Sequence, residues 1–173
     1  MSTEQNFADR ICTMNQMYKL NIALSPALPK DVADRLTKFK KTLMDEINEI
    51  DDIIDMANFI SAFEPGTRMA RNGAMVNTDD VITEFRENII TAIADVLVDI
   101  TVFCRSESMK YGIPHEEVQD IVMDSNESKL ADDGVPVYDE NGKFQKDEKN
   151  YWKPENLIKN LLTCTGPIAE GNW

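Results

Sequence analysis

Two aspartates within an apolar stretch are the residues of this sequence whose type and spacing most strongly suggest chemistry. The stretch ITAIADVLVDITVF, residues 90–103, is apolar almost throughout, yet it contains Asp95 and Asp99, which are four residues apart. That spacing places both carboxylates on one face of a helix. Burying an unpaired ionised carboxylate is costly. The pair therefore indicates either a buried salt bridge to Arg or Lys, or a metal site.

A second carboxylate pair lies earlier, in the segment LMDEINEIDD. Glu46 and Glu49 are three residues apart and share a helix face. Glu46 is in line with Leu43 and Ile50, which turns it partly inward, whereas Glu49 lies nearer the polar edge. An ExxE pair alone is weak evidence for a metal site, because such pairs usually lie on the solvated face of a helix. Brought together with the aspartates, these side chains would repel one another, and a hard cation such as Mg²⁺, with Mn²⁺ as a substitute, would relieve that repulsion.

Composition excludes several classes of protein. The length of 173 residues suits one domain over residues 1–173. The net charge is −13, so the chain lacks the basic surface of a nucleic-acid binder. Three cysteines without a CxxC spacing argue against a disulfide framework and a zinc site. The start of the chain has no apolar leader and no apolar run is long enough for a bilayer, so we expect a cytoplasmic protein without membrane contact.

Other catalytic arrangements also find no support. The only histidine is His115, so the Glu-x-x-His pairs of a di-iron bundle are absent. The same scarcity leaves no arrangement for Ser–His–Asp catalysis. No glycine-rich loop that could cradle a phosphate occurs in the sequence.

The segments that must position these side chains have helical periodicity. Apolar spacing predicts a first helix within the segment 4–24, two long helices over residues 31–63 and 80–110, and two shorter ones over 114–130 and 154–163. Thr78 is the predicted N-cap of the third helix, and Gly112 is the residue that ends it. The predicted fold class is all-α, an antiparallel helical bundle of four to five helices. Residues 131–153 form a C-terminal irregular loop or small hairpin, because they contain the turn signal Asn-Gly.

The third predicted helix also bears on assembly. From Phe85 to Phe103 it is apolar on more faces than one partner helix could cover. Large exposed apolar surfaces usually mark interaction sites. We therefore expect a homo-oligomer, most simply a homodimer.

A lysine-bearing segment follows the fourth predicted helix. The sequence DSNESKL, residues 124–130, precedes four lysines in a loop that also contains Tyr and Trp: Lys143, Lys146, Lys149 and Lys153. Lysines beside a metal-bound cluster are a suitable arrangement for a polyphosphate, because each group takes some of the phosphate oxygens. The alternative is that these loop lysines serve solubility alone.

These motifs together resemble a known family. The pairing of DEINE on one helix with IADVLVDI on a later one resembles the MazG-like all-α nucleoside triphosphate pyrophosphohydrolases. The segment SNESKLADDGVPVYDENGKFQKDEKNYWKPE is similar to the pattern SNxSKL–DGxPxYxxxGKxxKGxNYxxP, which is associated with the phosphoribosyl-ATP pyrophosphohydrolase-like branch. The resemblance covers residues 39–161, and the later motif is the more specific of the two.

The sequence departs from the family pattern, which is ExxE followed by ExxD. Glu46 and Glu49 match the first half and Asp95 matches the final Asp, but Ala92 stands where the second half requires Glu. Asp99, one turn later, is the candidate for the missing oxygen.

One further candidate ligand and one further departure bear on the site. Glu87 is a weaker candidate for the missing oxygen, because it lies two turns before the matched aspartate. The Lys-Gly of the later motif is Lys146-Asp147 here. The departure at Ala92 bears on the number of metal ions and on activity.

The resemblance implies Mg²⁺-dependent hydrolysis of a (deoxy)nucleoside triphosphate to a monophosphate and pyrophosphate, by a homodimer or homotetramer. Glu46, Glu49, Asp95 and Asp99 would hold the metal, and Glu46 or Glu49 would accept the proton of the attacking water. The predicted substrate contacts comprise phosphate or sugar ligands and residues that meet the base: Asn126, Lys129, Lys146, Tyr151, Trp152, Asn15 and Tyr18.

Two alternatives stay open on the sequence. One is the same chemistry on phosphoribosyl-ATP in histidine synthesis. The other is a non-catalytic helical regulator or phage accessory protein, which the alanine at position 92 favours. A panel of nucleotides separates the first alternative, and an absence of turnover identifies the second.

Overall fold

The computed structural model describes residues 6–62, 66–69, 73–131, 133–146 and 148–171. These ranges contain five helices, and their bounds are α1 Phe7–Met17, α2 Val32–Ser61, α3 Thr78–Lys110, α4 His115–Glu127 and α5 Glu155–Thr163. The strands among them are two or three residues long. The predicted all-α class is therefore confirmed. No helix in the described ranges has an apolar stretch sufficient to cross a membrane.

The chain divides into two compact units. The first comprises residues 1–30 and 105–173, and the second comprises residues 31–104. Helix α3 contributes to both, since it belongs to the second unit as far as Cys104 and to the first from Arg105 onward. The four candidate metal ligands all lie in the second unit, whereas every predicted substrate contact lies in the first.

Three pairs of short strands connect the helices. In the first unit, β1 (Ala27–Pro29) pairs in parallel with β6 (Ala169–Gly171), and in the second, β2 (Thr67–Met69) pairs antiparallel with β3 (Met75–Asn77). Strands this short carry no readable periodicity, so neither pair was predictable.

The hairpin expected in residues 131–153 is present. Strands β4 (Val137–Tyr138) and β5 (Phe144–Gln145) are antiparallel, and Gly142 in their turn has a φ of 74°. The side chain of Asp139 accepts hydrogen bonds from the backbone N–H groups of Asn141 and Lys143 at 2.9 and 2.8 Å. The Asn-Gly signal therefore identified the turn correctly, and a side chain that was not singled out stabilises it.

The start of α3 differs from its prediction. Thr78 is the first helical residue rather than the N-cap, and its hydroxyl donates to the carbonyl of Gly66. The Asn77 side chain accepts from the N–H of Asp79 at 3.0 Å instead. Both Asn and Thr are good N-caps. The Thr78 hydroxyl is engaged with the carbonyl of Gly66, twelve residues earlier, so Asn77 caps the helix instead.

The segment after α1 covers the end of α3 within the first unit. Backbone N–H groups of Ala23 and Ala27 donate to the carbonyls of Met109 and Tyr111, each at 3.0 Å. The last carbonyls of a helix have no partner within it, so these bonds satisfy them. Gly112, with a φ of 64°, ends the helix as predicted.

Candidate functional site

Two observations indicate that α2 and the part of α3 up to Cys104 run antiparallel: Phe59 lies against Phe85, and the charges of Asp99 and Asp95 act on Glu46. The rings of Phe59, near the end of α2, and Phe85, near the start of α3, lie 5.3 Å apart between centroids. Glu46 precedes Phe59 by nearly as many residues as Asp99 follows Phe85. Because both helices rise about 1.5 Å per residue, the two carboxylates lie at the same level of this pair of helices, which we call the α2–α3 hairpin. By the same count Glu49 lies level with Asp95.

Glu46 lies among several carboxylates of α2 and α3, whose charges act on it. It is half-buried, and its Oε2 atom is inaccessible to solvent and has no hydrogen-bond partner among the described residues. Burial raises the pKa of the Glu46 carboxyl, and the charges of the surrounding carboxylates raise it further, in the order Glu49, Asp99, Asp45 and Asp95. The prediction that Glu46 turns inward from the ExxE pair is confirmed, and Glu49 is exposed as expected.

The two aspartates are less buried in the single chain than their apolar surroundings suggested. Asp95 is exposed and Asp99 is half-buried, whereas Val96 between them is only 3% exposed. One helical position corresponds to a rotation of about 100°, so Asp95 is turned well away from the buried line through Val96. The expectation of burial for Asp95 is therefore wrong for the single chain. The exposed Leu97 and Val98 show how much apolar surface α3 leaves uncovered.

A salt bridge does not explain the aspartates within the part of the chain that the structure describes. Neither Asp95 nor Asp99 has an ion pair with a described Lys or Arg. Of the two explanations left open by the sequence, the buried ion pair thus finds no support among these residues.

The carboxylates fit Mg²⁺ in chemical kind. All four would supply hard oxygen ligands, which Mg²⁺ prefers, and the Glu46 Oε2 atom is a buried acceptor without a donor. Their side chains are not drawn together at ligand distances, since no three Asp, Glu, His or Cys residues of the described ranges form a group that could hold a metal ion. The hairpin therefore concentrates negative charge around Glu46 without a closed ligand set.

The raised pKa of Glu46 gives a pH-dependent stability. A carboxyl whose pKa is higher in the folded protein favours folding while it is protonated, and this advantage is lost as pH rises through the folded pKa. We expect metal-free protein to lose stability as the pH rises above about 4.5, and Glu46→Gln to lose less, because an amide does not titrate. Urea unfolding at several pH values measures this. Identical pH profiles for wild type and Glu46→Gln would contradict it, and Asp55→Asn on the same helix is the control.

Two of the predicted substrate contacts form one pair at the end of α4 in the first unit. The Lys129 ammonium group donates a hydrogen bond to Asn126 Oδ1. Asn126 is exposed and Lys129 is half-buried. The motif SNESKL thus brings its amide and its cation together.

A second pair lies in the loop before α5. The Nζ atom of Lys146 lies 4.3 Å from the centroid of the Tyr151 ring, which is a cation–π contact. The following residue, Asp147, at which the sequence departs from the family pattern, lies outside the described residues.

The first-helix candidates have different outcomes. Asn15 is 0% exposed, its Oδ1 atom accepts from Ser106 Oγ at 2.6 Å, and its Nδ2 atom donates to the Ser106 carbonyl at 3.3 Å. It offers no surface to a substrate in this structure, so its predicted contact with a base does not fit its position. Tyr18 is 68% exposed, but it lies just beyond α1, whose last residue is Met17.

Sequence reasoning missed the part played by Asp45. Its charge is among the causes of the raised pKa of Glu46, although the sequence pattern did not single it out. The signal available was its place beside Glu46 in a run of five acidic residues within eight.

Comparison of the chain with protein-family models finds no match, and comparison with curated proteins finds none either. The motifs DEINE, IADVLVDI and SNESKL therefore carry the family resemblance by themselves.

Proposed function

We propose that the chain is a Mg²⁺-dependent pyrophosphohydrolase that converts a (deoxy)nucleoside triphosphate to a monophosphate and pyrophosphate. The observation that carries the proposal is Glu46, whose buried Oε2 atom has no donor among the described residues and whose pKa is raised by carboxylates of both α2 and α3. Such a perturbed group among like charges is typical of a functional site.

The chain's own residues divide the work. Glu46, Glu49, Asp95 and Asp99 would hold Mg²⁺, which when bound neutralises phosphate charge, polarises the α-phosphorus and lowers the pKa of a water molecule. Glu46 or Glu49 would accept the proton of the attacking water. The water oxygen bonds to the α-phosphorus as the bond to the bridging oxygen breaks, and pyrophosphate leaves.

A pyrophosphate-release screen tests the proposal directly. Common ribo- and deoxyribonucleoside triphosphates and phosphoribosyl-ATP are each incubated with the protein and Mg²⁺. Turnover of a triphosphate supports the proposal, and turnover of phosphoribosyl-ATP alone selects the histidine-synthesis alternative. An absence of release from every nucleotide selects the non-catalytic alternative, which Ala92 favours because it removes the Glu expected there.

Lys129 stays the best candidate for a cation that meets phosphate, because it lies at the end of α4 with Asn126. We expect Lys129→Ala to raise KM at least about tenfold, since a hydrogen bond to a charged group contributes about 1.5–3 kcal/mol and about 1.4 kcal/mol corresponds to a factor of ten. The melting temperature should change little. The exposed Lys159 on α5 provides the control Lys159→Ala. A normal KM in Lys129→Ala removes this residue from the site.

We also propose that the protein is a homo-oligomer, most simply a dimer. The hairpin of α2 and α3 has an apolar side formed by residues that are 45–62% exposed: Ile47, Ile54, Ile90 and Leu97. Each directly follows an inward-facing residue of its helix. In an antiparallel pair that offset turns all four to the same side, whereas Asp45 and Asp95, each one position before an inward residue, turn to the other.

This apolar side makes the oligomer testable. We expect light scattering to give a mass above that of a monomer at micromolar concentration, and Leu97→Glu to reduce it, because a charge on this side opposes burial. Met123→Glu on α4, where Met123 is 50% exposed, is the matched control. A monomeric wild type contradicts the proposal.

A further inference from the structure

Two serines at the end of α4 hold both backbone polar groups of Trp152. The Ser125 hydroxyl donates to the Trp152 carbonyl at 2.9 Å, and the Ser128 hydroxyl oxygen accepts from the Trp152 N–H at 3.3 Å. The Ser128 hydroxyl also donates to the Ser125 carbonyl at 2.8 Å. Trp152 is therefore held at two atoms, which defines both its position and its orientation relative to the helix.

Burial makes this arrangement more than a surface contact. Ser125 is 2% exposed, and Ser128 and Trp152 are half-buried. Removing one partner of a buried hydrogen bond leaves the other unsatisfied, which costs more than the bond itself contributes. The serines thus satisfy the backbone N–H and C=O groups of Trp152, as a neighbouring strand does in a sheet.

The bonds of Ser125 and Ser128 to the Trp152 backbone, which we call the clamp, connect the two pairs of predicted substrate contacts. On the helix side, Ser128 directly precedes Lys129, whose ammonium group is bonded to Asn126. On the loop side, Trp152 directly follows Tyr151, whose ring carries the Lys146 ammonium group. These contacts lie wholly within the first unit. Without the clamp, no described hydrogen bond of the Trp152 backbone would join its loop to α4.

We propose that Ser125 and Ser128 are positioning residues, which fix the loop bearing Lys146 and Tyr151 to the helix end bearing Asn126 and Lys129. The inference rests on the proposed function, because the groups so fixed are those expected to meet a nucleotide polyphosphate. Preorganised contacts bind more tightly, since less freedom is lost on binding. The serines themselves need not touch the substrate.

The kinetic test uses Ser128→Ala with two companions. We expect KM for the best nucleotide of the screen to rise roughly three- to tenfold, the equivalent of one hydrogen bond, with kcat within about twofold. Ser128→Thr keeps the hydroxyl and should restore KM. Ser61→Ala is the matched control, because Ser61 makes the same kind of local bond, to the Asn58 carbonyl at 2.8 Å, at the end of α2. Raised KM in Ser61→Ala as well would overturn the assignment.

A readout independent of turnover separates the clamp from the activity. Trp173→Phe leaves Trp152 as the single tryptophan. In that background Ser128→Ala should increase iodide quenching of Trp152 fluorescence and accelerate hydrogen exchange at its amide. Unchanged quenching and exchange overturn the clamp whether or not the protein is an enzyme. Increased quenching and exchange with unchanged KM overturn only the positioning role. A wild type that releases no pyrophosphate overturns the proposed function and, with it, the positioning role. In that case the fluorescence measurement still decides whether the clamp exists.

Discussion

Asp95→Asn should reduce pyrophosphate release at least about a hundredfold, because a metal ion contributes several kcal/mol to catalysis and about 1.4 kcal/mol corresponds to a factor of ten. The amide occupies the same space but supplies no negative charge. Asp55→Asn is the control, since Asp55 is exposed on α2 and is not among the charges that act on Glu46. Activity within a few-fold of wild type in Asp95→Asn would remove this residue from the proposed metal site.

Thermal melts of the same variant separate a metal ligand from a structural ion pair. Because Asp95 has no ion pair with a described Lys or Arg, its replacement should leave metal-free protein as stable as the wild type or slightly more so, through loss of like-charge repulsion. Breaking a buried salt bridge would instead cost roughly 3–5 kcal/mol. Mg²⁺ should raise the Tm of the wild type by linkage and have little effect on the variant. A large loss in chelator, with a wild type indifferent to Mg²⁺, contradicts the metal assignment.

Gly112→Ala should be among the most destabilising single changes in the chain. Its φ of 64° lies in the left-handed region, and a Cβ atom there would stand 2.2 Å from the backbone oxygen of Ser25. That segment is held on the end of α3 by the bonds from Ala23 and Ala27, so it cannot move without losing them. Backbone strain and overpacking each cost about 1–3 kcal/mol, so we expect a loss of roughly 2–6 kcal/mol in urea unfolding.

Gly142→Ala isolates the steric part of that loss. Gly142 has a similar φ, 74°, but nothing lies within 4 Å of its added Cβ atom. Its replacement should therefore cost only the backbone term, about 1–3 kcal/mol. Equal losses for the two variants would show that the close approach of Ser25 contributes nothing.

Local patterns in the sequence determined the helices and their approximate ends. Periodic apolar residues identified all five helices, Gly112 marked the end of α3, and Asn-Gly marked the hairpin turn. These features depend on neighbours within one or two turns, which the sequence displays directly. The inward direction of Glu46 belongs to the same class, because it follows from the positions of Leu43 and Ile50 on the same helix.

Tertiary structure alone decided the exposure of Asn15 and Asp95 and which partners hold the buried polar groups. Asn15 looked available for a substrate, yet it is buried against Ser106, ninety-one residues away. Asp95 looked buried, yet it is exposed in the single chain because only one line of α3, through Val96, is covered. The serines of SNESKL and the carbonyls that end α3 likewise find partners far along the chain. Periodicity reports the face on which a side chain lies, but the partner on that face is supplied by distant residues, and no local pattern specifies them.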